Sequence, residues 1–227
     1  MLVQIPKILR EDELATIHDR LEKAVWVDGR ATTGHQSAKV KKNLQLAEDS
    51  TQARELGAIV MRALDRSAIF VSASLPRHVS PPMFNKYEAG MTFGAHVDNA
   101  IRQIGLSPAR MRTDIAATLF LSKPDEYDGG ELLIEDTYGA HSVKLPAGDM
   151  VLYPATSLHR VTPVTRGARI ASFFWIQSLV AEDSERSLLF DLDRAIIDVG
   201  KSMPADSSVA VRLTATYHNL VRKWARP

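Results

Sequence analysis

Short β-rich runs separated by turn residues follow one another from about residue 69 to residue 178, and this pattern constrains the fold most. The clearest turns are Asp128-Gly129-Gly130 and Ala147-Gly148-Asp149. No helix-length apolar periodicity lies between the runs, so antiparallel pairing is favoured over the crossovers of a parallel sheet. A double-sheet jelly roll, or double-stranded β-helix, accommodates such a set. The pattern predicts strands at 77–80, 83–87, 92–96, 114–122, 131–135, 141–145, 149–153, 158–161 and 169–177.

Helical patterns flank the β-rich part. Apolar residues at helical spacing predict helices over 11–25 and 51–66, after an edge strand within residues 2–9. After residue 181 a second helical region begins, in which Pro204 breaks the run and Asp206 or Ser207 caps a last helix. The predicted apolar stripes of its two helices are Leu188, Leu189, Leu192, Ile196 and Val199, and Leu213, Tyr217, Leu220 and Trp224.

These patterns predict an α+β protein with a mainly β core and three parts. Residues 1–70 form a support region of helices and strand, 71–180 form the jelly-roll core, and 181–227 form a C-terminal helical region.

The amino-acid composition limits which metal ligands and which kinds of partner the protein can have. The chain has no cysteine, so any metal must be held by His, Asp, Glu or backbone oxygen. A net charge of +1 gives no general attraction to nucleic acid or to an anionic membrane surface. No apolar run reaches the roughly 20 residues of a membrane span, and residues 1–7 lack the features of a signal peptide. These features predict a cytoplasmic protein with neither nucleic acid nor membrane as a partner.

A candidate metal site lies at the end of the third predicted strand of the core. His96 and Asp98 are two residues apart, and such side chains project from the same face of an extended strand. His159 follows the apolar strand 150–153 and the turn 154–157, at the mouth of another strand. Two His and one carboxylate with open positions are the facial triad of non-haem Fe(II) oxygenases. The remaining histidines are predicted to be structural or exposed: His18, His35, His78, His141 and His218.

Such an iron site needs a co-substrate that supplies two electrons, and a keto diacid would need a cation for its far carboxylate. Arginine pairs with carboxylates bidentately. Arg169 opens the last long strand, with Ala171, Phe173 and Trp175 on the same face, so its guanidinium is predicted to point into a lined cavity. Arg166 is predicted to be solvated and Arg160 to point away from the site.

The combination of motifs resembles the Fe(II)/2-oxoglutarate-dependent dioxygenases, specifically the bacterial PKHD-type hydroxylases, which are related to prolyl and lysyl hydroxylases. The resemblance covers nearly the whole chain. It rests on Asn85-Lys-Tyr87-x-x-Gly90, Gly94-x-His96-x-Asp98, Tyr127-Asp-Gly-Gly-Glu-Leu132, Ala147-Gly-Asp-Met-Val-Leu-Tyr-Pro154, Leu158-His159-Arg-Val-Thr-Pro-Val164, Gly167-x-Arg169 and Trp175-Ile-Gln-Ser178.

The resemblance implies that His96, Asp98 and His159 bind Fe(II) and that Arg169 binds the C5 carboxylate of 2-oxoglutarate. Tyr87 matches a tyrosine that lines this pocket in related prolyl hydroxylases, although simple packing in the barrel is an equal alternative. The implied reaction consumes O2 and hydroxylates a prolyl, lysyl or peptide-like substrate, with succinate and CO2 as products and L-ascorbate keeping the iron reduced.

Two other classes of function compete with this interpretation. One is a cupin-like metal-binding or sensory protein without catalysis, and the other is a metal-dependent hydrolase, for which ligands of a second metal are not evident. The basic segments 39–43 and 99–113 are predicted to be solvated loops rather than a substrate-contacting rim, although their charges would favour an anionic substrate. Neither the substrate nor the oligomeric state is encoded in a recognisable motif.

Overall fold

The computed structural model of the protein describes residues 1–32, 39–104, 108–204 and 207–227. The helices are α1 (Glu11–Glu22), α2 (Thr51–Asp65), α3 (Ala68–Ser74), α4 (Asp183–Ser202) and α5 (Ser208–Trp224). The strands are β1 (Val3–Ile5), β2 (Trp26–Asp28), β3 (Lys41–Lys42), β4 (Leu44–Leu46), β5 (Pro76–Val79), β6 (Met83–Glu88), β7 (Thr92–His96), β8 (Ile101–Gln103), β9 (Arg110–Arg112), β10 (Ile115–Phe120), β11 (Tyr127–Gly129), β12 (Leu132–Asp136), β13 (Gly139–Val143), β14 (Met150–Pro154), β15 (His159–Val161) and β16 (Val164–Ser178). Among the described residues, no helix has the length and apolar character needed to cross a membrane.

Two antiparallel sheets form the core. The larger sheet has nine strands and the main order β1-β14-β10-β16-β6-β4-β2, with β5 and β11 also paired to β16. The smaller sheet has five strands in the order β13-β12-β15-β7-β3. Every pairing in both sheets is antiparallel, as the sequence predicted.

Strand alternation in the larger sheet divides the core into two layers. On β16, Phe174 and Ile176 face the layer that the sheet shares with α1 and α2, whereas Trp175 faces the interior of the jelly roll. On β10, Leu119 faces the helices and Phe120 faces the interior. The helices therefore cover one face of this sheet and leave its other face for the site.

The predicted helices are present, with local reasons for where they begin. The Ser50 hydroxyl accepts a hydrogen bond from the Ala53 amide at the start of α2, and Ser207 does the same with Ala210 at the start of α5, as an N-cap should. The alternative cap, Asp206, lies outside the described residues. In α4, Leu188 belongs to the predicted apolar stripe but is 59% exposed.

Two sequence-based expectations about loops are wrong. Segment 39–43 is predicted to be a solvated loop, and Lys39, Val40 and Lys42 are exposed, but β3 pairs with β7 and Lys41 is only 5% exposed. Segment 99–113 contains a hairpin of β8 and β9, with residues 105–107 outside the described part of the chain. Helix α3 also lies where strands were expected to begin, because its Ser67 cap and its buried Phe70 favour a helical turn there.

Candidate iron and 2-oxoglutarate site

Strands β7 and β15 bring the two site histidines together, because His96 and His159 are directly opposed in the ladder. The next pair along this ladder is Val161 with Phe93, so β7 carries one more residue than β15 between the two pairs. This bulge lets Phe93 and His96 lie on the same side although they are three residues apart, and their rings stack with centroids 3.6 Å apart.

Gly94 allows the bulge in β7 to pack closely against the segment that contains Val40. A Cβ atom added at this glycine would lie 2.8 Å from the Val40 Cβ, closer than side chains pack. The Gly94 amide also donates a hydrogen bond to the Val40 carbonyl at 2.9 Å, which fixes how closely the two segments approach. A side chain at this position would push the segments apart beside His96.

Three potential metal ligands converge at the end of β7. One ligand atom from each of His96, Asp98 and His159 can be chosen so that all three lie within 4.8 Å of one another. Asp98 follows the last residue of the strand, so its position depends on the irregular segment after His96. The three side chains therefore form a candidate site for one metal ion.

The two imidazole rings are oriented in the same way. His96 Nδ1 donates to the Gly94 carbonyl at 2.8 Å, and His159 Nδ1 donates to the Ser157 carbonyl at 3.0 Å. These bonds fix the tautomer in which Nε2 carries the lone pair that a metal requires. The chain therefore holds both rings in the ligating form.

Burial and nearby charges shift the pKa values of His96 and of Tyr153, which lies beside His159. Burial, and next the nearby His159, lower the pKa of His96 to about 4, so its ring is neutral at physiological pH. Burial, and next the Asp98 charge, raise the pKa of Tyr153, whose ring meets the His159 ring edge-on at 5.2 Å. A neutral imidazole beside a carboxylate is the donor set that Fe(II) binds in facial triads.

Arg169 lies deep in the same cavity and is 1% exposed. Its guanidinium carbon is 5.5 Å from the centre of the Tyr87 ring and 5.2 Å from that of Phe120. Its Nε has no hydrogen-bond partner within the described part of the chain. A buried cation in this state fits an anionic ligand that is not part of the protein.

The lack of a side chain at Gly130 leaves space for the Arg169 side chain to reach into the cavity. Gly130 has a φ of +67°, and an added Cβ would lie 3.2 Å from the Arg169 Cδ and from the Tyr127 ring. The turn predicted at Asp128-Gly129-Gly130 thus also packs directly on the arginine side chain.

The cavity that contains these side chains is open to solvent. Tyr87 lines it, is 1% exposed, and has a pKa raised to about 12 mainly by burial, an effect that the Arg169 charge partly opposes. Phe173 and Trp175 line it together with Arg169, as their predicted common face required.

The other sequence candidates lie outside the cavity. Arg166 forms an ion pair with Asp128, and Arg160 forms one with Glu135, which agrees with both predictions. Among the histidines in the described part of the chain, His78, His141 and His218 are exposed, and His18 contacts the Leu121 carbonyl. His35 lies outside that part.

Sequence reasoning placed two cavity residues, Lys41 and Arg102, in solvated loops and kept a position at the pocket rim only as the alternative. Lys41, Asn43 and Gln45 alternate along β3 and β4 and are all buried, at 5%, 4% and 1% exposure. An alternation of polar residues normally indicates a solvated edge, so no signal in the sequence separates this case from a surface strand.

Comparison with known proteins agrees with this geometry. Residues 82–177 match the 2OG-Fe(II) oxygenase superfamily, and residues 183–226 match the PKHD-type hydroxylase C-terminal domain. A PKHD-type hydroxylase of Gluconobacter oxydans is 58% identical over 225 residues, covering 99% of each chain. One from Saccharophagus degradans is 58% identical over 226 residues, covering 100% of each chain.

The chain belongs to the PKHD-type hydroxylase family. It is therefore a 2-oxoglutarate-dependent dioxygenase, and the family implies Fe(II) and 2-oxoglutarate as its metal and co-substrate.

Solved structures of more distant proteins share the fold of this PKHD-type hydroxylase. A Pseudomonas putida prolyl-4-hydroxylase is similar with a TM-score of 0.53 at 17% identity, over 78% of this chain and 92% of the other. HygX from Streptomyces hygroscopicus, solved with nickel and 2-oxoglutarate bound, is similar with a TM-score of 0.53 at 14% identity, over 80% of this chain and 84% of the other. The predicted double-stranded β-helix is thus confirmed.

Proposed function

We propose that this PKHD-type hydroxylase holds Fe(II) through His96, Asp98 and His159, and binds the C5 carboxylate of 2-oxoglutarate through Arg169. The observation that carries the proposal is the convergence of three ligand atoms within 4.8 Å in a cavity that also contains a fully buried arginine. Non-catalytic metal binding would explain the convergence but not the arginine, because a buried cation is costly without a ligand to offset it.

When bound, Fe(II) and 2-oxoglutarate supply the oxidation of a C–H bond by O2, with succinate and CO2 as the products of the co-substrate. The protein contributes binding and orientation. The carbonyls of Gly94 and Ser157 keep the protons of both imidazoles on Nδ1, away from the metal side. Arg169 orients the co-substrate, and Tyr87 packs against it at the closed end of the cavity.

We further propose that the hydroxylated substrate is a prolyl, lysyl or other peptide-like group and that ascorbate keeps the iron reduced. The family name and the prolyl hydroxylases with the same fold support this substrate class.

The test begins with purified, metal-free protein. Anaerobic addition of Fe(II) and 2-oxoglutarate should give a weak visible charge-transfer band, and exposure to air should then give succinate. His96→Ala should abolish both the band and the succinate, because a ligand is lost from the donor set.

The matched control is His141→Ala, which removes an exposed histidine that is paired with Asp136 in the same sheet as the site. This variant should retain the band and the succinate yield. Normal succinate formation by His96→Ala would refute the ligand assignment, and absence of both signals in the unsubstituted protein would refute the proposed function.

A further inference from the structure

Lys41 is a buried cation in the cavity that neither the iron ligands nor Arg169 account for. Strand β3 pairs with β7 so that Lys41 lies opposite Phe93, the residue that stacks on His96. Its Nζ donates to Gln45 Oε1 at 3.0 Å and lies 5.4 Å from the centre of the Phe93 ring and 6.0 Å from that of Phe173. The ammonium group thus borders the cavity between aromatic rings.

Arg102 is a second such cation, from the hairpin of β8 and β9. Its guanidinium carbon lies 3.9 Å from the centre of the Trp175 ring, which is stacking distance. The next strand of the hairpin is tied to the core by Arg112, whose Nη2 donates to Asp114 Oδ2 at 3.0 Å. Arg102 therefore lies on a strand whose partner strand contacts the core.

The indole of Trp175 adds a hydrogen-bond donor. Trp175 is 7% exposed and lines the cavity, and its Nε1 has no acceptor in the part of the chain that the structure describes. A buried donor without an acceptor costs free energy, so an acceptor on a ligand would be stabilising here.

Charges near these groups leave this region positive. Burial, and next the Arg102 charge, lower the pKa of Lys41 to about 8, so the two cations are close enough to repel each other. Glu48 acts on both cations but is exposed and does not line the cavity, and Asp28 is exposed and paired with Arg30. The acid that does line the cavity is Asp98, whose charge a bound Fe(II) would offset.

This positive region is separate from the Arg169 end of the cavity. Arg169 and Trp175 lie on the same face of β16, six residues apart, which corresponds to about 20 Å along a strand. A five-carbon diacid held by Arg169 spans less than this separation of the two backbone positions, which leaves the Trp175 end for another molecule.

We propose that Lys41, Arg102 and Trp175 form an anion site for the primary substrate, which takes an oxyanion attached to a planar apolar group. The inference rests on the proposed function and specifies its substrate class. The two cations and the indole N–H bind the anion, while the aromatic side chains of Phe93 and Phe173 that line the cavity pack on the apolar part. The arrangement directs the rest of the substrate toward the iron ligands, because Phe93 stacks directly on His96.

The test uses benzoate and benzamide, which have the same shape and differ in charge. The protein is loaded with Mn(II) in place of Fe(II) and with saturating 2-oxoglutarate, and the paramagnetic broadening of probe protons gives the dissociation constants. Benzoate should bind at least tenfold more tightly than benzamide. Lys41→Met and Arg102→Met should each weaken benzoate binding at least fivefold, with benzamide binding changed less than twofold.

The matched control is Lys42→Met, which removes an exposed lysine from the neighbouring position of the same strand and should leave benzoate binding unchanged. If the unsubstituted protein binds benzoate and benzamide equally tightly, or binds neither, the proposal is overturned. Benzoate that is displaced as 2-oxoglutarate rises would also overturn it, because the probe would then occupy the Arg169 site.

A parallel measurement separates this inference from the proposed function. Succinate formation by the unsubstituted protein with Fe(II) and air reports on the proposed function alone. If succinate is absent but benzoate is still preferred over benzamide, the anion site stands and the oxygenase assignment of the iron ligands fails.

Discussion

Replacement of Arg169 by methionine should have opposite effects on stability and on co-substrate binding. The side chain is 1% exposed, and its Nε lacks a hydrogen-bond partner among the described residues. Methionine keeps the apolar stem beside Tyr87 and Phe120 and removes a buried charge. Because a charge is costly to remove from water, the ligand-free protein should become more stable by about 1–3 kcal/mol, or a few degrees in Tm.

Binding of 2-oxoglutarate should weaken strongly in the same variant. Loss of one partner from a buried charged contact costs about 2–5 kcal/mol, which is at least a 30-fold rise in Kd. At a concentration of about 100 times the original Kd, the co-substrate stabilises the unsubstituted protein by about 2.7 kcal/mol. In Arg169→Met the same concentration should give less than about 1 kcal/mol.

Thermal unfolding with anaerobic Fe(II) measures both effects. For a chain of this size the unsubstituted protein should gain about 5–10 °C on addition of 2-oxoglutarate, and the variant at most about 4 °C. Arg160→Met is the matched control, because it removes a surface arginine that is paired with Glu135. An Arg169→Met protein with a full co-substrate shift would refute the role of Arg169, and one with a lower ligand-free Tm would refute the reasoning about its buried charge.

Three further predictions concern the site. The pKa of His96 is about 4 in the folded protein and 6.5 in the unfolded chain, so the unfolded chain binds the proton first as the pH falls. The metal-free protein should therefore lose about 3 kcal/mol of stability between pH 6.5 and pH 4. His96→Phe should flatten that part of the pH profile in urea denaturation. Gly94→Ala should destabilise the protein by about 1–3 kcal/mol and weaken metal binding, because the added Cβ clashes with the Val40 Cβ. In calorimetry, adding Val40→Gly to this variant should restore both the stability and the metal affinity. A double variant that recovers neither would contradict the contact. The pKa of Lys41 is lowered to about 8, so benzoate binding should weaken as the pH rises through 8, and an unchanged Kd at pH 9.5 would show that its charge is not used.

Much of the site was predictable because its chemistry is written in residue type and spacing. The absence of cysteine restricts a metal to His and carboxylate ligands, and the pair His96 and Asp98 with His159 matches an iron triad without any structure. The face of Arg169 followed from the period of two along β16, since Phe173 and Trp175 had to share it. The jelly roll followed from short strands with turns and no crossover helices.

Tertiary structure alone decided which polar residues enter the cavity. Lys41 has the local sequence of a solvated strand, and it is buried only because β3 pairs with β7 and lies against Phe93 and Phe173. Arg102 reaches the cavity because the hairpin of β8 and β9 folds over Trp175. The bulge beside Gly94 likewise depends on pairing with β15, so the placement of Phe93 on the side of His96 is a property of the ladder. Residue type and period are local and can be predicted from the sequence, whereas the partner of a strand is a long-range contact, and only the folded chain determines it.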